Sequence, residues 1–284
     1  MSLESFLDEE SSPLTPEEWR QMHAHVVDVA RRHLVGRRIV DLFGPLGAGV
    51  EAIGLTQSVE RQRASLDDEE QIDGAPLSRR MARSPRSIPV IHRDFTLHWR
   101  EIAAAHDNGV PLDFSPAVEA ALACARREDE LVFYGDESRG VPGLLTAPGR
   151  VQVPLGDWRA PSEGLSAVVR AAEALQHDNP LPYALLLSPR LFSMLHRVFG
   201  DGGTLEIDAI RSFIQGGVFV SNQLELETAA LIAPGPHNFD LAVSIDLSVA
   251  YLGAEEMEHP FRVLEAVLPR VKRPLAICTL EKTL

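Results

Sequence analysis

From Thr56 to Ser87 the chain reads TQSVERQRASLDDEEQIDGAPLSRRMARSPRS, which is polar, charged and nearly without periodicity. Such a segment cannot bury enough apolar surface to offset the entropy of ordering it. Patternless runs of this length are uncommon inside compact domains and are usually functional or disordered. The flanking residues must therefore build a core without it. Two readings stand: a solvated surface loop, or an extended arm that gains order against a neighbouring subunit.

A core elsewhere is within reach. Hydrophobic residues make up 45% of the 284-residue chain, enough for one large domain or two smaller ones. Net charge is −14, from 27 basic and 41 acidic side chains, which argues against a general nucleic-acid binder. Cys124 and Cys278 stand far apart and give no disulfide framework or thiolate metal cluster. A reducing cytoplasm fits them. The opening MSLESFLDEESS is acidic and has no signal-peptide core, and no run is apolar enough for a membrane span.

Punctuation predicts a mixture of helices and strands. Thr15-Pro16-Glu17-Glu18 forms a capping box with proline in the first turn. Trp19, Met22, Val26, Val29 and Leu34 then recur at helical spacing. Gly36 reads as a helix stop with positive φ. Arg37 to Phe43 alternates as a short strand, which would put Arg37 and Asp41 on one face. Gly44 to Gly49 reads as a hinge into the polar tract. Further helices are expected from Ser115, from Gly164 to His177, after Ser188-Pro189, and from Leu205 to Ile214. Strands are expected at 183–187, 218–220, 229–233, 240–244, 248–252, 261–272 and 275–280, with extended chain over 87–99. Without strict βαβ alternation the class is α+β.

Catalytic patterns fail on spacing. Gly44-Pro-Leu-Gly-Ala-Gly49 has the wrong glycine order for a dinucleotide loop. Gly135-Asp-Glu-Ser138-Arg-Gly140 has one residue too many for a nucleophile elbow, and a turn explains it. Asp67 to Gly74 begins like a calcium loop, but Arg80 occupies the position of the bidentate glutamate. His23 and His25 are two apart on a helix and face different ways, so no metal site is expected.

Longer stretches carry a resemblance. VARRHLVGRRIVDLFGPLGAGV (29–50), IPVIHRDFTLHWREI (88–102), EDELVFYGD (128–136), VPLGDW (153–158), LSPRLFSMLHR (187–197) and DLAVSIDLSVAYLGAEEMEHPFRVLEAVLPRVKRPLAICTLE (240–281) are similar to encapsulin shell proteins of family 1. The likeness is to the myxobacterial iron-storage shells in particular. It implies the HK97 phage-capsid-like fold. An N-terminal helix and the start of a peripheral domain would occupy 1–49, an extended loop 50–90, and more peripheral domain with the long helix 91–134. An axial domain would follow at 135–236, and peripheral strands at 237–284.

The resemblance further implies an icosahedral homo-oligomer in the cytoplasm, with no enzymatic activity of its own. A C-terminal targeting peptide on a ferritin-like cargo enzyme would dock on it, and iron would be mineralised in the lumen by that cargo. Val29, Leu34, Arg37, Asp41, Asp246 and Val249 would line the peptide groove. Asp201, in Gly200-Asp-Gly-Gly-Thr204, would rim a cation pore. Some encapsulins hold flavin through a tryptophan just after the FTL-type stretch; here Trp99 falls one position early, so no cofactor is expected on the shell. Peroxidase cargo and a DNA-packaging phage capsid are the alternatives.

Overall fold

Thr15 and Glu18 start the first long helix, Pro16–His33, as their spacing predicts. Thr15 Oγ1 accepts from the Glu18 N–H at 3.3 Å, and Glu18 Oε2 accepts from the Thr15 N–H at 2.7 Å. These bonds satisfy two donors that a helix start leaves unpaired. Trp19, Met22, Val26 and Ala30 form the buried face. The computed structural model describes residues 4–55, 84–199 and 203–282. The centre of the expected arm, 56–83, and the pore candidate Asp201 lie outside the described residues.

The chain divides into two units. The first takes the described residues of Met1–Glu51, Ser87–Gly135 and Leu241–Pro269. Its sheet has the strand order Asp41–Phe43, Phe239–Tyr251, Glu258–Val271, Val90–His98. The last two pair antiparallel, with Phe261 opposite Phe95 and Glu265 opposite Ile91. Alternation sends Phe261, Val263, Glu265 and Val267 to a single buried face. Helices cover that face: Trp19 lies 6.0 Å from Phe261 between ring centroids, and Cys124 Sγ lies 3.7 Å from the Val263 carbonyl. Cys124 belongs to the Ser115–Tyr134 helix, whose alanine-rich stripe lets the helix approach the strands closely.

The second unit takes the described residues of Ala52–Arg86, Asp136–Asp240 and Arg270–Leu284. Its five-stranded sheet runs Gln215–Val220, Tyr183–Leu187, Ala229–Ile232, Ile277–Glu281, Val151–Pro154. The two outer pairings are parallel and the inner ones antiparallel. Every residue of Tyr183–Leu187 is buried, as expected for a continuous apolar run in mid-sheet. Glu163–Gln176 and Glu206–Ile214 are amphipathic helices with buried faces centred on Val168, Ala172 and Leu175, and on Ile207, Ile210 and Ile214. Ala52–Leu55 and Ser84–Ser87, the two ends of the expected extended loop, pair as a separate two-stranded sheet.

Several local expectations are corrected. Gly36 does not take positive φ; it opens a 3₁₀ turn, Gly36–Arg38. Its lack of a side chain matters differently, because a Cβ there would sit 3.1 Å from Asp129 Oδ1 and from Val132 Cγ1. The strand shrinks to Asp41–Phe43, so Arg37 and Asp41 do not share a strand face. Gly44 to Gly49 is pinned rather than hinge-like. Leu46 N–H donates to the Val243 carbonyl at 2.9 Å, Gly47 N–H to that of Ser244 at 3.1 Å, and Ser244 Oγ to those of Gly47 and Val50. At Gly44 (φ 148°) a Cβ would come within 2.3 Å of the Val243 carbonyl oxygen. The strands expected at 240–244 and 248–252 are one, Phe239–Tyr251. In the tail, Ile277–Glu281 lies inside the five-stranded sheet, between Ala229–Ile232 and Val151–Pro154. Trp99 opens a helix, Trp99–Asn108, so it is not part of the extended chain that the flavin comparison assumed.

Candidate functional site

The turn after the first helix delivers Arg37 into a ring of carboxylates. Arg37 Nε donates to Glu128 Oε1 at 2.8 Å and Oε2 at 3.0 Å. Nη2 is shared between Glu128 Oε2 at 2.7 Å and Glu265 Oε2 at 2.9 Å, and Nη1 donates to Asp246 Oδ1 at 2.6 Å. Glu128 comes from the long helix, Glu265 from the Glu258–Val271 strand and Asp246 from its neighbour Phe239–Tyr251. Glu128 and Glu265 are fully buried, whereas the Asp246 side chain is 62% exposed. One guanidinium thus ties a turn, a helix and two strands together, and only its Asp246 side meets water.

The backbone of the same turn has an anchor of its own. Asp129 accepts the Val35 N–H at 3.1 Å and the Gly36 N–H at 2.7 Å. A short approach of this kind explains why a side chain at residue 36 would crowd the site.

Burial and charge oppose each other here. Burial alone would lower the Arg37 pKa, but hydrogen bonds and charge from Glu128, together with the charge of Glu265, raise it well above the usual arginine value. Burial pushes the Asp129 carboxyl up to about 6, against the pull of its two N–H donors. Burial and the neighbouring Glu128 charge hold Glu265 well above the ordinary carboxyl range. Asp246 goes the other way: desolvation is outweighed by Arg37, and its pKa falls.

Of the residues expected to line a groove, the structure joins Arg37 and Asp246. Asp41 is exposed and Val29 is half-buried. Leu34 and Val249 are core residues, 4% and 0% exposed. Their apolar character is spent inside the unit. Glu128, Asp129 and Glu265 were missed. A signal existed: Glu128 falls on the buried stripe of Ala117, Ala121 and Cys124, and Glu265 on the inward alternation of Phe261 and Val263. A charge on an apolar face implies a buried partner.

An apolar pocket of about 700 Å³ also lies in this unit, lined by Phe6, Leu7, Leu46, Val50, Ile245 and Leu264 among others. Leu264 and Glu265 are consecutive on one strand, so their side chains point to opposite faces. The pocket and the Arg37 cluster are therefore separate features. No group of three or more His, Cys, Asp or Glu among the described residues could hold a metal ion. No described helix is long and apolar enough to cross a membrane.

Residues 4–268 match the family model described as "Encapsulating protein for peroxidase". The chain belongs to the encapsulin family. It is 48% identical over 277 residues to the type 1 encapsulin shell protein EncA of Myxococcus xanthus, covering 97% of this chain and 96% of that one. It is 38% identical to the diheme-cytochrome-encapsulin shell fusion protein of Kuenenia stuttgartiensis, over 94% of this chain and 74% of the fusion. Among solved structures, a virus-like particle from Pyrococcus furiosus superposes with a TM-score of 0.71 at 20% identity, covering 94% of this encapsulin chain and 99% of that one. The capsid of Myoviridae phage XM1 follows the same path with a TM-score of 0.58 at 15% identity, over 86% and 90%. At such identities the likeness concerns the fold, which is of the HK97 capsid type. Its named curated relatives are shell proteins and shell fusions rather than stand-alone enzymes.

Proposed function

We propose that this encapsulin chain is the repeating subunit of a cytoplasmic, icosahedral compartment that encloses ferritin-like cargo for iron oxidation and storage. The near end-to-end identity of 48% to a type 1 shell protein carries this reading. A relative from Pyrococcus furiosus that is named as a ferritin-like-encapsulin shell fusion supports the cargo class. The formal charge of −14 favours accumulation of ferrous cations, which are substrate for the cargo rather than a resident cofactor of the shell. Cargo arrives through a short C-terminal peptide. Exposed Asp246, held by Arg37, supplies the charged lip that fixes its register.

The test is purification of particles from the native host, with electron microscopy, protein mass spectrometry and iron analysis. Closed particles containing a ferritin-like protein and iron are expected. A peroxidase as the sole partner would replace the cargo assignment, and packaged DNA would overturn the compartment reading. For the lip, Asp246→Ala co-expressed with cargo should assemble but load poorly. Normal loading would remove Asp246 from the docking site.

A further inference from the structure

The Arg37 cluster holds more carboxylates than its cation can match. Among the described residues Arg37 is the one cation hydrogen-bonded to Glu128, Glu265 and Asp246, and Asp129 holds the backbone of the same turn. Glu128 and Glu265 meet at the same guanidinium nitrogen, and neither side chain has any solvent exposure. Glu265 Oε1 is buried and has no hydrogen-bond partner among the described residues. Buried polar atoms are rarely left in that condition. Two ionised carboxylates side by side, one with an orphaned oxygen, would be strongly unfavourable.

We propose that Glu265 and Glu128 share one buried proton, and that this proton locks the Leu34–Arg37 turn onto the long helix and the sheet. With the proton on Glu265, its hydroxyl becomes a donor and Glu128 the acceptor. The orphaned oxygen then has a role, and Arg37 faces one buried carboxylate charge rather than two. The raised proton affinity of Glu265, caused by burial and by Glu128, is in line with this. No metal is needed to balance the charge, and the described side chains offer no metal site.

The groups that face this pair come from every element packed against it. The long helix contributes Glu128, Asp129 and Cys124, whose thiol is pushed up to about 12 by burial and then by the Glu265 charge. The turn contributes Arg37, the adjacent strand Asp246, and the first helix Arg31, which acts on Asp246 through its charge. Arg93, from the edge strand, acts on Cys124 in the same way. The folded chain keeps the Glu265 proton to higher pH than the unfolded chain does. The resulting stability is complete below the ordinary glutamate range and is lost as pH rises through the folded-state value.

The experiment compares the purified full-length protein with its Glu265→Gln variant by thermal unfolding, from about pH 5 to about pH 9. Glutamine keeps the shape and offers an N–H donor to Glu128 without needing a proton. The wild-type melting temperature should fall toward alkaline pH, and the variant should lose most of that fall while matching wild type near the acid end. Equal pH slopes in the two proteins would overturn the proposal. Difference infrared spectroscopy of the wild type gives a readout independent of whether the variant folds. A protonated-carboxyl stretch should persist at neutral pH and bleach on alkaline titration, and its absence at neutral pH would overturn the shared proton.

Discussion

Two buried charge clusters, one in each unit, are built around hubs of opposite sign. In the first unit Arg37 serves Glu128, Glu265 and Asp246. In the second Asp240 is served by two cations. Arg270 grips it through both carboxylate oxygens at 2.6 Å, and Lys272 Nζ lies 2.6 Å from Asp240 Oδ2. Lys272 also donates to the Pro236 carbonyl at 2.6 Å and is partly exposed, so its excess charge reaches water. The surplus in the first unit is different, because two of its carboxylates are sealed. A surplus of sealed carboxylates can be relieved by protons within the physiological range, whereas an arginine cannot shed its charge there. In the first cluster burial and the Glu128 charge raise the proton affinity of Glu265, so that cluster is the one expected to respond to pH.

The largest effects should come from removing each hub. Asp240→Ala removes both carboxylate hydrogen bonds to Arg270 and the contact with Lys272, and should cost about 3–5 kcal/mol in urea unfolding, with little change between about pH 5 and about pH 8. Arg37→Ala should cost a similar ~3–5 kcal/mol near pH 8 but distinctly less near pH 5, where the abandoned carboxyls can take up protons. Identical pH behaviour in the two variants would erase the distinction between the clusters.

Asp129→Asn sharpens it. Raised from the ordinary 3.8 to about 6 in the fold, Asp129 contributes stability that is complete below pH 3.8 and lost as pH rises through about 6. The asparagine variant should remove a slope on the order of 2–3 kcal/mol over that window, read from unfolding midpoints. Asp246 has the opposite sign. Its lowered pKa contributes stability above the ordinary aspartate range that disappears as pH falls further.

Thr15→Ala should cost about 1 kcal/mol through the lost helix cap, read from urea unfolding near neutral pH. The smallest effect is expected at the exposed Asp94–Arg262 pair, despite its short 2.6 and 2.8 Å contacts. Arg262→Ala should change stability by less than about 1 kcal/mol, and less again at high salt.

Legibility in the sequence followed the range of the interactions involved. The capping box at Thr15, the stripe of Trp19, Met22 and Val26, the apolar strand Tyr183–Leu187 and the helix from Ser115 all rest on neighbours within a few residues. They were readable for that reason. The Gly36–Arg38 turn was not, because Asp129 holds it from 93 residues away along the chain. Nor was the placement of Ile277–Glu281, whose strand partners Ala229–Ile232 and Val151–Pro154 share no local signal with it. Within the candidate site Arg37 and Asp246 could be named from the family resemblance, but Glu128 and Glu265 could not. Each looked like an ordinary charged residue until the helix and strand brought it beneath the same guanidinium.

By itself the sequence determined the α+β class, the capped first helix, the polar tract that no core could absorb, and membership of a shell-forming family. Tertiary structure alone decided which charges are buried, how many carboxylates one arginine must satisfy, and that Leu34 and Val249 belong to the core. Local pattern specifies a residue's face on its own helix or strand. Desolvation and pairing depend on what other elements bring to that face, and so they appear only when the chain is folded.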